Sequence, residues 1–320
     1  MYLPPFTITE EILTLVAEIS EALGGISAMM TDIAPHPILR KQNRIKTIQS
    51  SLAIENNSLT VEQVTAILEG KRILGPPNEI IEVKGANNAY ELLPTINPHK
   101  EKDLLRAHKQ MMSELIRENG CYRSGNVGVF NEKGCVHMAP PAMRVPALMH
   151  DLFEWLKKTK VHPLVASCVF HYEMEFIHPF MDGNGRMGRL WQTAILAEWK
   201  PVFAWLPVET IVKEHQQEYY DVIAQCDGRG ESTSFITFML KCIKQTIADV
   251  ATPKATPKAT PKDTILSLIG QNSRITVKEM AEALGMNKRN AQIHVKKLTE
   301  QGLIRHVGAS RGGHWEIIGG

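Results

Sequence analysis

The chain has 320 residues, 43% of them hydrophobic and 22% charged, an ordinary soluble composition too long for one average domain. No apolar run approaches the roughly 20 residues of a membrane span, and the start, MYLPPFTITEE, lacks the basic and apolar regions of a signal peptide. The net charge of +2 hides an asymmetry, because residues 251–320 carry eleven Lys/Arg against five Asp/Glu while residues 1–250 carry 25 against 29. The five cysteines include no CxxC pair, so they read as reduced thiols of a cytoplasmic protein.

In chain order, TITEEILTLVAEISEAL opens with Thr7 and Glu10 at capping-box spacing and then repeats apolar residues at three and four. The same helical period runs through LLRAHKQMMSELIREN, VPALMHDLFEWLKK, HPLVASCVFHYEMEF, GRLWQTAILAEW and TSFITFMLKCIKQTIADV. NVGVFNEKGCVHM, residues 126–138, departs from it: β-formers alternate around Asn131–Gly134, which predicts a short hairpin. ATPKATPKATPK, residues 251–262, repeats a four-residue unit whose prolines lack the N–H a helix needs, so it reads as a semi-rigid linker. Beyond it, TVKEMAEALGMNKRNAQIHVKKLTEQGLI predicts a helix capped by Thr276 and Glu279, a turn at Gly285 and a second helix from about Asn287. Ala291, Val295 and Leu298 form the buried stripe of that helix; Lys288, Arg289, Asn290, Gln292 and Lys296 point elsewhere. LIRHVGASRGGHWEII then reads as two short strands. The segment 263–320 thus resembles a winged helix-turn-helix, with Arg311 near phosphate if it binds DNA; docking to protein is the competing role.

IHPFMDGNGRMGRL, residues 177–190, concentrates chemistry. Gly183-Asn184-Gly185 precedes a helical run, and free N–H groups at a helix start without Cβ atoms make an anion cradle. Arg186 and Arg189 share a helix face and suit further phosphate oxygens. Asp182 is placed to hold Mg2+, which takes only one or two protein ligands beside phosphates. His178 is a base able to take a proton from a hydroxyl at physiological pH. A rival metal set, His171 and His178 with Glu173 and Glu175, lacks the H-E-x-x-H spacing.

Residues 178–189 match the Fic signature HPFx(D/E)GNGRxxR at each of its nine specified positions, so the chain resembles that family over roughly residues 95–245. The resemblance implies a mainly α fold, a Fic helical core with a β-hairpin flap, that transfers AMP from ATP to a Ser, Thr or Tyr hydroxyl of a target protein. It implies His178 as base, Asp182 as Mg2+ ligand, Gly183, Asn184 and Gly185 as the phosphate cradle, and Arg186 and Arg189 on the remaining phosphates. The flap would hold the target by strand addition, with Gly134, Cys135, Val136 and His137 nearest the nucleotide. Tyr219, Tyr220 and Asp227 fall where relatives line the adenine pocket. SSLAIENNSL fits the inhibitory (S/T)xxxE(G/N) pattern through Ser51, Glu55 and Asn56, with Glu55 expected on Arg189 in place of the ATP γ-phosphate. The expected domains are an N-terminal helical region 1–94 with an inhibitory helix at about 44–56, the Fic core 95–250, the linker 251–262 and a winged-helix domain 263–320. The alternative functions are a DNA-binding regulator whose core senses nucleotide, and removal of AMP by the same site. Self-modification and a homodimer stay open.

Overall fold

The computed structural model describes the backbone of residues 2–30, 37–131, 134–251, 261–308 and 313–318. The chain forms two compact units, Met1–Thr252 and Pro253–Gly320.

Unit one is helical with one hairpin: α1 (Glu10–Met30), α2 (Pro37–Ile54), α3 (Val61–Leu68), α4 (Pro77–Glu91), α5 (Glu101–Met112), β1 (Gly128–Asn131), β2 (Gly134–Met138), α6 (Val145–Lys158), α7 (Pro163–Ile177), α8 (Asn184–Trp199), α9 (Val208–Glu214), α10 (Gln216–Arg229) and α11 (Thr233–Ala251). Helix α7 lies at the centre. Every residue from Leu164 to Met174 is buried, so its apolar pattern wraps the whole circumference. Phe153 of α6 meets Phe170 of α7 and Trp191 of α8 edge-on, with ring centroids 5.2 and 6.1 Å away. Burying each such side chain stabilises the fold by about 1.5–3 kcal/mol. β1 and β2 pair antiparallel, Gly128 opposite Met138, with an irregularity between Val129 and Phe130.

Three boundaries differ from the sequence reading. Thr9, not Thr7, caps α1: its Oγ1 accepts from Ile12 N at 3.2 Å, while the Thr7 N–H is used by Thr233. Helix α5 stops at Met112 rather than running to Asn119, because the chain turns back and Gly120 N–H donates to the ring of His108. The expected inhibitory helix starts earlier, at Pro37, and ends at Ile54, leaving Glu55 and Asn56 in the turn beyond it.

Unit two contains α12 (Pro261–Gln271), α13 (Val277–Ala283), α14 (Lys288–Glu300), β3 (Ile304–Val307) and β4 (His314–Ile317), with β3 and β4 antiparallel. Ile265, Ile269, Ile275, Met280, Val295, Leu298 and Ile304 form its own core. Thr276 and Glu279 make the reciprocal capping box of α13, and Asn287 caps α14. Of the repeat 251–262, residues 252–260 lie outside the described residues; Pro261 and Lys262 already belong to α12, a helix the sequence reading missed. Pro at a first helical position costs no hydrogen bond, which is why the repeat does not exclude it there. Arg311 also lies outside the described residues. Among the described residues, no helix is long and apolar enough to cross a membrane.

Candidate active site

Two helix ends face each other across the loop 178–183. Helix α7 ends at His178, which takes the left-handed conformation (φ 51°, ψ 60°) while its N–H donates to Met174 O at 2.9 Å. A side chain in that region is strained by roughly 1–3 kcal/mol and persists only where its surroundings fix it. Here Pro179 follows, and the His178 carbonyl accepts from Arg123 Nε at 2.8 Å. The His178 ring sets Nδ1 3.3 Å from the Glu175 carbonyl, which can only accept, so Nδ1 donates there.

Helix α8 opens at Gly183, also left-handed (φ 82°), where a Cβ would press on Met112 Sδ at 2.8 Å. Gly185 leaves room for two side chains: a Cβ there would strike the Glu55 carboxylate and crowd Arg189 Nη1 at 3.0 Å. The Asn184 side chain is structural in this state. It accepts from Phe180 N at 2.8 Å and donates to Phe180 O at 3.0 Å, closing the loop on itself. Asn184 thereby holds the main-chain groups of the turn into α8 in place. Asp182 Oδ1 accepts from Gly183 N at 2.6 Å and lies 3.1 Å from Arg186 Nη2, with over half of the Asp182 side chain exposed. Arg186 Nη1 lies 3.5 Å from Glu82. Among the described residues, Arg186 Nε and Nη1 and Arg189 Nη1 make no hydrogen bond.

Arg189 is buried and meets the end of α2. Its Nε donates to Ser51 Oγ at 3.0 Å, and its Nη2 donates to Ser51 O at 3.0 Å and to Glu55 Oε1 at 2.7 Å. Burial works most strongly against this charge, but Glu55, Tyr219 and Glu175 together outweigh it and hold the guanidinium above its ordinary pKa. The turn that carries Glu55 is itself gripped. Lys213 Nζ donates to Ala53 O at 2.8 Å, and Gln216 Nε2 and Tyr220 Oη donate to Ile54 O at 2.7 and 2.8 Å. These donors satisfy the carbonyls that a helix C-terminus leaves open. Asn56 stands at φ 68°, and Asn57 Nδ2 donates to Glu82 Oε2 at 2.8 Å.

The residues expected to line an adenine pocket have these partners. Tyr219 is buried, its hydroxyl 3.1 Å from His171 Nε2, and Asp227 accepts from the Tyr172 hydroxyl at 2.9 Å. Tyr220 is exposed and faces the α2 terminus. Gly134 to His137 form β2, whose backbone alone is described. The rival metal set comes apart: Glu173 binds the Tyr2 hydroxyl, His171 is held by Gln192 at 2.7 Å, and among the described residues no group of three or more metal-ligating side chains gathers.

The sequence reading missed two residues. His108 Nδ1 accepts from Gly120 N at 2.9 Å and its Nε2 donates to Asp182 O at 3.0 Å, which fixes one neutral tautomer. Its ring stacks on Phe180 at 3.7 Å, and burial pushes its pKa down to about 4. Arg123 is the other, buried and bonded to main-chain carbonyls. A lone His or Arg in a helical pattern gives no such signal in sequence.

Main-chain groups at a helix start, two arginines and an exposed carboxylate on the loop that follows His178 are the chemistry an anion such as phosphate suits. Residues 98–196 match the Fic/DOC family profile, and residues 264–305 match a winged helix-turn-helix DNA-binding profile. The chain is 44% identical to a Fic family protein of known crystal structure from Desulfovibrio desulfuricans G20, covering 100% of this chain and 99% of that one at a TM-score of 0.76. A Fic domain containing signaling protein from Bacteroides thetaiotaomicron shares the fold at 20% identity, with a TM-score of 0.61 over 75% of this chain and 94% of that one. Over 218 residues the chain is 28% identical to the Protein adenylyltransferase Fic of Aedes aegypti, a match covering 65% of this chain and 42% of the mosquito protein. It thus spans less than half the length of that relative.

Proposed function

We propose that this chain, which belongs to the Fic family, transfers AMP from ATP to a Ser, Thr or Tyr hydroxyl of a protein, releases pyrophosphate, and is restrained by Glu55. The observation that carries this reading is the left-handed His178 beside the Gly183–Gly185 helix start, with Glu55 seated on Arg189 and against Gly185.

The acceptor hydroxyl gives its proton to His178 Nε2 as its oxygen bonds to the α-phosphorus. The bond from that phosphorus to pyrophosphate breaks. The N–H groups at the start of α8 and the two guanidiniums stabilise charge gathering on the phosphate oxygens, in a site fixed beforehand by Asn184 and His108. Asp182 suits Mg2+: one exposed carboxylate beside phosphates is the donor set that ion takes, the rest being water and substrate oxygen. When bound, the ion neutralises phosphate charge and orients the leaving group. In the present state Glu55 occupies Arg189, so the γ-phosphate is refused and the α-phosphate is misdirected.

A second reading rests on the winged-helix match over 264–305: the protein is a DNA-binding regulator whose core senses nucleotide. One experiment separates the two. Glu55→Gly protein incubated with Mg2+ and ATP gains the mass of AMP on itself or on a bound target, and Glu55→Gly/His178→Ala keeps ATP binding but transfers about 10²–10⁴-fold more slowly. No added AMP in either protein, with ATP bound, supports the sensor instead.

A further inference from the structure

We propose that Arg123 is a positioning residue that sets the hairpin and the base His178 in one frame, so that the segment docked on the hairpin presents its hydroxyl to the His178 ring; this rests on the transfer function proposed above.

Arg123 lies in the loop between α5 and β1, is 3% exposed, and makes no ion pair among the described residues. A buried guanidinium normally has a carboxylate; this one spends its donors on four carbonyls. Nε donates to His178 O at 2.8 Å and Nη2 to Ile177 O at 3.4 Å, both at the end of α7. Nη1 donates to Gly125 O at 2.9 Å, just before β1, and Nη2 also donates to Pro140 O, just after β2. The Arg123 N–H itself donates to Pro179 O at 2.9 Å. One planar group therefore ties both ends of the hairpin to the one strained residue of α7.

The geometry of the fork matters more than its charge. Five N–H groups in a rigid plane reach carbonyls on opposite sides, which the single ammonium of lysine does not reproduce. His178 has its φ at 51°, and its carbonyl direction is held from outside by Arg123 Nε. Losing that bond lets the His178–Pro179 peptide turn, and the imidazole turns with it. Losing the bonds to Gly125 and Pro140 lets the hairpin tilt. The two faults add in the same coordinate, the approach of the acceptor oxygen to Nε2. The cradle stands apart, since Asn184 and His108 hold it without Arg123. Nucleotide binding is therefore spared while transfer suffers.

The test uses the full chain with Arg123→Lys, alone and with Glu55→Gly. Hydrogen exchange of the amides of 127–131 and 134–138 should speed up by about tenfold or more, while those of α6, α7 and α8 keep their protection. ATP affinity, read by calorimetry, should stay within about twofold. In the Glu55→Gly background, kcat for AMP transfer to a protein acceptor should fall by about a hundredfold, as misplacement of order 1 Å costs. The acceptor KM should change far less, and the thermal midpoint should stay close to that of the parent.

Unchanged hairpin exchange overturns the linkage. An unchanged kcat overturns the positioning role even if exchange rises. A fall of kcat, ATP affinity and thermal midpoint together overturns it too, because it shows a general structural loss. If Glu55→Gly alone transfers no AMP, the transfer function fails, and the exchange arm alone still decides whether Arg123 joins hairpin and base.

Discussion

At the scale of single residues, the contact between Arg189 and Glu55 is where the proposed restraint can be tested. Arg189 is buried with its Nη2 2.7 Å from Glu55, yet Ser51 supplies two further acceptors at 3.0 Å. Removing the carboxylate therefore leaves the guanidinium partly satisfied and positioned rather than stranded. Glu55→Gly should raise AMP transfer mainly through rate, because ATP binds both forms and only its pose changes. Arg189→Ala should not mimic it, since it discards the clamp along with the restraint. The double variant should resemble Arg189→Ala. AMP incorporation from labelled ATP by the four proteins side by side decides this; equal activity of wild type and Glu55→Gly would leave Ser51–Asn56 as an ordinary helix end.

At the scale of elements, two contacts make further predictions. The end of α2 is gripped by α9 and α10 through Lys213, Gln216 and Tyr220, so the seat of Glu55 depends on residues far from it in sequence. A hydrogen bond of this type is worth about 0.5–1.5 kcal/mol. Gln216→Ala should loosen the turn carrying Glu55 and raise transfer roughly two- to tenfold over wild type; a rate equal to or below wild type rules out the grip. The second contact is His108, between α5 and the loop before α8. The unfolded imidazole takes a proton near 6.5 and the folded one at about 4. Between these values the unfolded chain binds more protons, so stability falls as pH drops through that window, by up to about 3 kcal/mol. A proton on Nδ1 also faces the Gly120 N–H it must accept from. His108→Gln should flatten the change of thermal midpoint between pH 7 and pH 4.5; an undiminished slope would place the acid sensitivity elsewhere. These contacts mark where the sequence could be read and where it could not. His178, Asp182 and Gly183–Gly185 lie within eight residues, so their grouping between two helices was legible without a structure. The pattern at Ser51–Asn56 was legible as a candidate partner of Arg189, although 138 residues separate Ser51 from Arg189. His108 and Arg123 were not legible, because they act on main-chain carbonyls across the fold and a carbonyl leaves no mark in sequence. Nor was the contact of Tyr219 with His171 legible, because 48 residues separate the two and only the packing of α10 against α7 brings them together.

At the scale of the whole molecule, the charge asymmetry of the sequence becomes a statement about one unit. The folded part of unit two has its own core and presents Lys288, Arg289, Asn290, Gln292 and Lys296 in the open along α14, around an Ile293 that is 59% exposed. A solvated face is usually polar throughout, and an exposed isoleucine among arginine and glutamine suits base edges and a thymine methyl. The basic side chains suit phosphate, whose neutralisation releases counterions. The full chain should therefore bind duplex DNA with an affinity that falls steeply between about 50 and 200 mM salt. Arg289→Ala should weaken binding. If Arg289 lies on phosphate, the slope of log K against log salt should fall by about one and every sequence should be affected alike; if it reads a base, the loss should concentrate on one position of the site. Arg289 is exposed beyond the Asn287 cap, so its removal leaves the fold of α14 intact and the comparison clean. Fluorescence anisotropy on a random and a selected duplex measures both. No binding at low salt would assign α14 to a protein partner, with Ile293 as its apolar contact.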